Sequence, residues 1–402
     1  MSIVTEMVNY KECLDRQNNC IAQGALTNSK RPESFVKGVY PTHLMKARDS
    51  IVWDINGRSY IDFICGLGTN LLGYANQKIN QAMFVAANEG ASLSLSSMLE
   101  IECAEKLKSM FHFIEKVKFL KTGSDACSAA IKIARAYTGR DTVLTDGYHG
   151  WHDPFVSVES PASGVHKDQG VVKFTDFSQL SGDTAAVIIE PVNLDHSTKR
   201  IEYLKELKMR CELLGIVLIF DEIITGLRFP KFAVSNYMSV KPDLIVMAKA
   251  LGNGMPLTFV GGKKELMDGD YFISGTFFGE RVSLAAACKV LEMVRDEPID
   301  FTWEMGEQFI TKFNSLSPLV RLNGYPTRAV FEGEEVPKAL FFQECCRAGV
   351  LFGPSWFFNR HHIIKMDTVL GTCKDVLTQI HVGTVKLEGQ LPVKPFSAKQ
   401  RS

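Results

Sequence analysis

The sequence predicts an α/β chain whose larger part is built on a mostly parallel sheet. Three observations carry this reading. Between about residues 95 and 275, short apolar runs alternate with helical stretches. The runs are almost continuously hydrophobic, as strands buried on both faces are. The stretches between them place apolar residues at three- and four-residue spacing, and such alternation folds into a parallel sheet covered by helices.

The elements follow in order. Residues 1–45 read as an irregular N-terminal arm holding a short helix. Residues 50–63 read as a hairpin, two alternating apolar runs around Asn56-Gly57. A helix follows over 76–89. Strands are expected at 117–120, 142–145, 185–190, 216–221, 244–247 and 257–261. Helices are expected at 124–138, with Ser124 as its N-cap, and at 201–214. The second carries Ile201, Leu204, Leu207, Cys211 and Leu214 along one stripe. Residues 284–315 read as one long helix, and 316–390 mix short strands and helices into a smaller domain.

Composition narrows the function. Of 402 residues, 46% are apolar, and 45 Lys+Arg balance 45 Asp+Glu. This balance offers no electrostatic argument for nucleic acid or an anionic membrane, although a local basic patch stays open. The basic stretch 394–402 reads as a frayed tail. No apolar stretch approaches a membrane span. The ten cysteines form no C-x-x-C pair, and residues 1–18 lack a signal pattern, so a reducing cytoplasm is expected.

The chemistry concentrates at two strand ends. Leu244 to Met247 is apolar, and Lys249 follows, ahead of Gly252 and Gly254. The upstream run 216–220 ends in Asp221-Glu222. Desolvation lowers an amine's pKa and makes it a nucleophile for imine formation. A carboxylate beside it can hold a pyridine nitrogen protonated, so the pair suits pyridoxal phosphate. A magnesium site at Asp221-Glu222 would need a G-x-x-x-x-G-K-[ST] loop, which the chain lacks.

Three further segments support a cofactor. Lys121-Thr122-Gly123-Ser124-Asp125 joins a strand to a helix, where free N–H groups and the helix dipole favour a phosphate. Gly147-Tyr148-His149-Gly150-Trp151-His152-Asp153 is a polar-aromatic loop: Tyr148 or His149 could stack on a ring, or His149, His152 and Asp153 could ligate a metal. Thr276, in Gly275-Thr276-Phe277-Phe278-Gly279, could donate to a phosphate or begin a turn. The glycine-rich stretch 66–73 is no dinucleotide fingerprint and reads as a close-approach loop.

In combination these segments resemble the class III pyridoxal-phosphate aminotransferases, over about residues 30–385. The resemblance is most specific at Leu218-Ile219-Phe220-Asp221-Glu222-Ile223-Ile224-Thr225-Gly226-Leu227-Arg228, followed by Pro242-Asp243-Leu244 and Lys249. Within the class the chain looks most like the glutamate-1-semialdehyde aminomutases, through Tyr148-His149-Gly150, Glu190-Pro191-Val192 and 349–355.

The resemblance implies fold type I, the aspartate aminotransferase-like fold: a large domain with a mostly parallel seven-stranded sheet and a small α+β domain. It implies three regions: 1–65, an arm and hairpin packing with the small domain; 66–300, the large cofactor-binding domain; and 301–402, the small domain. It implies that Lys249 forms the internal aldimine and shuttles a proton, and that Asp221 pairs with the pyridinium nitrogen. Gly123, Ser124 and Asp125 would line the phosphate site, with Tyr148 against the ring, His149 beside it and Glu190 near the ring or its hydroxyl. Thr276 would reach a phosphate across the interface of a homodimer. No metal is implied.

Two departures bear on the substrate. Glu33 stands where the aminomutases place a carboxylate-binding arginine, and Trp356-Phe357-Phe358-Asn359 stand where they carry a glutamate. The expected activity is therefore an aminotransferase acting on a small amine or carbonyl other than glutamate 1-semialdehyde. A nucleotide-linked or nucleic acid substrate stays open. A decarboxylase or aminomutase on the same fold is the alternative, since the cofactor also stabilises the carbanion left by loss of a carboxylate.

Overall fold

The computed structural model describes residues 9–158, 164–166 and 169–393. The basic stretch 394–402 lies outside them. The chain divides into two compact units. Among the described residues, one takes 9–67, 72–75 and 304–393, and the other takes 68–71 and those from 76 to 303.

In the first unit, β1 (Leu44–Arg48), β2 (Ile51–Asp54) and β3 (Ser59–Asp62) form an antiparallel meander. The β2–β3 turn is the expected hairpin, with Gly57 at φ +81°. A short strand, Val350–Leu351, adds to β3 in parallel. A second sheet pairs Arg321–Tyr325 with Arg328–Glu332 and the latter with Ser355–Phe357, all antiparallel. Helices Glu335–Arg347 and Met366–His381 complete an α+β unit.

Its core is aromatic. Phe63 stacks on His362 at 4.1 Å between ring centroids, and Phe309 on Trp356 at 5.2 Å. Trp356 and Phe358 are fully buried, and Asn359 caps helix Arg360–Ile363. The 356–359 stretch that departs from the aminomutases is thus structural within its unit. Gly73 is a real close approach: an added Cβ would lie 2.5 Å from the His361 ring.

The second unit holds a seven-stranded sheet. Its strands are β4 (Lys116–Leu120), β5 (Thr142–Asp146), β6 (Val171–Lys173), β7 (Thr184–Ile189), β8 (Val217–Asp221), β9 (Leu244–Met247) and β10 (Thr258–Gly262). The order is β4-β10-β9-β8-β7-β5-β6, and β10 alone runs against the rest. Every residue of β7, β8, β9 and β10 is buried, because helices cover the sheet. The carboxyl ends of β4, β5, β7, β8 and β9 therefore share one edge, where open α/β sheets bind ligands.

Three local expectations are corrected. The 284–315 helix is two helices, Arg281–Asp296 and Asp300–Asn314. Pro298 lies in the break; it has no N–H, and it disfavours the helical conformation of Glu297, which sits at φ −130°, ψ 83°. Ser124 is not an N-cap. Thr122 caps helix Gly123–Thr138, its Oγ1 accepting from the Asp125 N–H while the Asp125 carboxylate accepts from the Thr122 N–H. Leu214 also leaves the expected apolar stripe and is exposed at the end of helix Thr198–Leu214, whose core face is Leu204, Leu207 and Cys211.

Candidate active site

Asp221 closes β8 and is 4% exposed. Its Oδ1 accepts from the Ile223 N–H at 3.0 Å. Its Oδ2 accepts from His149 Nδ1 at 2.7 Å and from the Cys127 thiol at 3.4 Å. An ionised carboxylate only accepts, so Nδ1 carries the proton. Burial opposes charge on the His149 ring, but its bond to Asp221 and the charges of Asp221 and Glu190 outweigh that, holding the imidazole above its ordinary range. Burial and then the Asp221 charge push the Cys127 thiol well up, so it remains an S–H donor.

The neighbouring Glu222 has a different task. It is fully buried and accepts from Thr225 Oγ1 at 3.0 Å, Val234 N–H at 2.8 Å and Ser235 N–H at 2.9 Å. Burial raises its carboxyl despite these donors. Three of its acceptor positions serve the segment after β8, so Glu222 holds that segment in place.

His149 reaches Asp221 because its loop is clamped at both ends. At Gly147, φ is +115°, and an added Cβ would lie 2.8 Å from Glu190 Oε1. At Gly150, φ is +107°, and an added Cβ would lie 2.2 Å from Ser124 Oγ. Two bonds close the clamp: Tyr148 N–H to Glu190 Oε1 at 2.8 Å, and Trp151 N–H to Ser124 Oγ at 3.2 Å. Glu190 is held from behind, as its carbonyl accepts from Arg200 Nη2 at 2.9 Å. Tyr148 is left half-exposed.

The phosphate seat read from the sequence is the start of helix Gly123–Thr138. The amides of Gly123 and Ser124 are its first two and have no intrahelical acceptor. Gly123 approaches Ile223 closely; an added Cβ would lie 2.7 Å from Ile223 Cδ1. Asp125 is turned back into the capping box, so its carboxylate serves the helix start.

Lys249 lies on the same edge of the sheet. β8 and β9 pair in parallel with Asp221 opposite Val246, and Lys249 follows three residues later. It sits at φ +45° at the start of a short 3-10 turn, flanked by buried Ala248, Ala250 and Leu251. Thr276 lies apart, exposed on the loop before helix Arg281–Asp296. That loop ends at Glu280, which caps the helix and pairs with Lys121 at 2.5 Å, next to the Thr122 cap.

The structure thus brings Asp221, His149, Tyr148, Glu190, Gly123 and Ser124 together, with Lys249 along the same edge. The sequence reading missed Cys127 and Thr122. Cys127 stands three residues after Ser124, on the same helix face, which was the available signal. The H-x-x-H-D metal alternative is not assembled: His149 points to Asp221, while His152 bonds Ser128 Oγ at 2.9 Å. Cys127, His149 and Asp221 do bring one ligand atom each within 4.8 Å of one another. They meet as hydrogen-bonded partners around one oxygen, at separations set by protons.

The residues fit pyridoxal phosphate. A buried carboxylate, a helix start with open amides and a lysine share one sheet edge, and His149 Nε2 is buried without a hydrogen-bond partner among the described residues. Comparison with known proteins agrees. The aminotransferase class-III family model matches residues 36–181 and 171–319. A glutamate-1-semialdehyde 2,1-aminomutase of Archaeoglobus fulgidus is 32% identical over 305 residues, 69% of this chain and 71% of that protein. A 3-aminobutyryl-CoA aminotransferase of Cloacimonas acidaminovorans is 31% identical over 306 residues, 72% of this chain and 74% of that protein. Among solved structures, the FumI protein of Sphingopyxis sp. MTA144, in its PLP internal aldimine form, superposes with a TM-score of 0.86 at 24% identity, covering 95% of this chain and 98% of that one. An omega-transaminase of Sphaerobacter thermophilus gives 0.80 at 20% identity, covering 92% and 98%.

Proposed function

The chain belongs to the class-III aminotransferases, whose cofactor is pyridoxal phosphate, and from that premise we propose that it transfers an amino group from a small-molecule amine to a carbonyl acceptor other than glutamate 1-semialdehyde. The observation that carries this is the pairing of β8 with β9, which sets Asp221 and Lys249 at adjacent strand ends.

When bound, pyridoxal phosphate supplies an electron sink for the carbon that bears the amine. The chain's residues do the rest. The amides of Gly123 and Ser124 take the phosphate at the helix start. Asp221 keeps the ring nitrogen protonated, with His149 orienting its carboxylate. Tyr148 would lie against the ring, and Glu190 holds it in place by accepting from the Tyr148 backbone N–H. Lys249 Nζ would move a proton between the substrate carbon and the cofactor's C4′, one way with the donor and the other way with the acceptor, acting as general base and then acid in each half. By the family resemblance, Thr276 would reach the phosphate of a second copy, and the working form we propose is a homodimer. Sedimentation of a monomer that retains full activity would refute that assembly.

The substrate reading rests on Glu33. At the place of the aminomutases' arginine, this chain has an acid that pairs with Lys37 at 2.7 Å. The relative named an aminomutase keeps that second activity in play, and one experiment separates the two. The holoprotein should show a band near roughly 420 nm that one amine of a panel converts to a band near about 330 nm. A carbonyl acceptor should then restore the first band with one equivalent of new amine. Isomerisation of a single substrate without exchange of amine between two molecules would establish the aminomutase instead. Release of carbon dioxide with the first band retained would establish a decarboxylase.

A further inference from the structure

We infer that Cys127 is a positioning residue: its thiol determines which oxygen of Asp221 faces the cofactor ring nitrogen and how much negative charge that carboxylate keeps. The inference rests on the reading of Asp221 given above and extends it to a residue with no role so far.

A carboxylate offers about four acceptor positions, two on each oxygen. In Asp221 three are taken. Ile223 N–H fills one on Oδ1 at 3.0 Å. His149 Nδ1–H and Cys127 S–H fill both on Oδ2, at 2.7 and 3.4 Å. The single open position is on Oδ1. Without the thiol, Oδ2 would regain an open position, and the carboxylate could present either oxygen.

A free buried cysteine is usually a small hydrophobe. Cys127 is fully buried, and its neighbours Ala126, Ala129 and Ala130 on helix Gly123–Thr138 are packing residues of that kind. What sets Cys127 apart is its contact with a buried carboxylate oxygen. The donor type matters as well. A thiol is a weak donor and draws little charge from the carboxylate. A hydroxyl there would make a shorter, charge-assisted bond and draw more. The thiol therefore occupies the acceptor position while leaving Asp221 basic enough to hold the ring proton.

The test uses holoprotein loaded with pyridoxal phosphate labelled with 15N in the ring, for wild type, Cys127→Ser, Cys127→Ala and Asp221→Asn. The 15N chemical shift reports protonation of the ring nitrogen, which a purely structural role would not move. In Cys127→Ser the signal should move toward the unprotonated-pyridine value, with kcat falling about ten-fold and KM for the donor unchanged. In Cys127→Ala the signal should move the other way or broaden between two environments, as either oxygen faces the ring. Wild-type signals in both cysteine variants, with Asp221→Asn clearly displaced, would overturn the role of Cys127. An unmoved signal in Asp221→Asn would overturn the underlying reading of Asp221, and that result is distinguishable from the first. If Cys127→Ser does not fold, Cys127→Ala alone decides between the outcomes.

Discussion

Lys249 and Asp221 stood out in the sequence as a pair, each at the end of an apolar run, and the structure places both on one edge of the sheet. Lys249→Ala should abolish the borohydride-stable attachment of cofactor to the chain, read by mass spectrometry; an adduct persisting on another lysine would displace the assignment. Asp221→Ala should lower kcat by at least about a hundred-fold, because it removes the ring's counter-charge and the buried acceptor to which His149 Nδ1 is bonded. Turnover near the wild-type value would contradict its role. Cys127 was signalled only faintly, by its place three residues after Ser124 on one helix face. Composition marks a cysteine among alanines as core, and only folding brings its sulfur to within 3.4 Å of a carboxylate oxygen on another strand.

Helix and strand types could be read, but some of their ends could not. Thr122 and Ser124 are both fair caps, and the choice fell to Thr122 because Asp125 stands three residues after it and completes a capping box. The apolar periodicity on either side of Pro298 is helical, which hid the break there. The three-residue strand β6 is too short to show a pattern and exists because β5 pairs with it. The loop from Gly147 to Gly150 makes a sharper claim. Gly150→Ala would force a Cβ to within 2.2 Å of Ser124 Oγ at φ +107°. It should loosen His149 and Ser124 together and weaken retention of pyridoxal phosphate by more than about ten-fold. Equilibrium dialysis of the cofactor would measure this, and unchanged retention would show that the clamp is dispensable.

For the whole chain, the mostly parallel sheet was legible because full burial leaves a continuous apolar signature in β7, β8 and β9. The aromatic core of the other unit was not, since its rings come from segments nearly 300 residues apart, such as Phe63 and Trp356. That core gives a prediction about acid stability. Burial lowers His362 to about 4 from its ordinary value of 6.5, with its ring bonded to the Asp62 carbonyl and the Asn359 N–H. The folded state thus binds the proton less readily than the unfolded chain. The contribution is fully present above about pH 6.5 and is lost as pH falls toward about 4. It is worth roughly 3 kcal/mol. Denaturant unfolding of wild type and His362→Gln between these limits should show a shallower decline in the variant. Parallel curves would show that His362 does not titrate there.

The left-handed backbone at Lys249 sets robustness against work. At φ +45°, every side chain with a Cβ is under strain there, and glycine alone is not. In the cofactor-free protein, Lys249→Gly should be more stable than Lys249→Ala by up to about 1 kcal/mol, after allowing for glycine's freer unfolded chain. A lineage selected only to survive heat would drift toward that glycine and lose its chemistry in the process. A lysine in such a conformation is thus what the proposed chemistry, and not the backbone, asks for at this position.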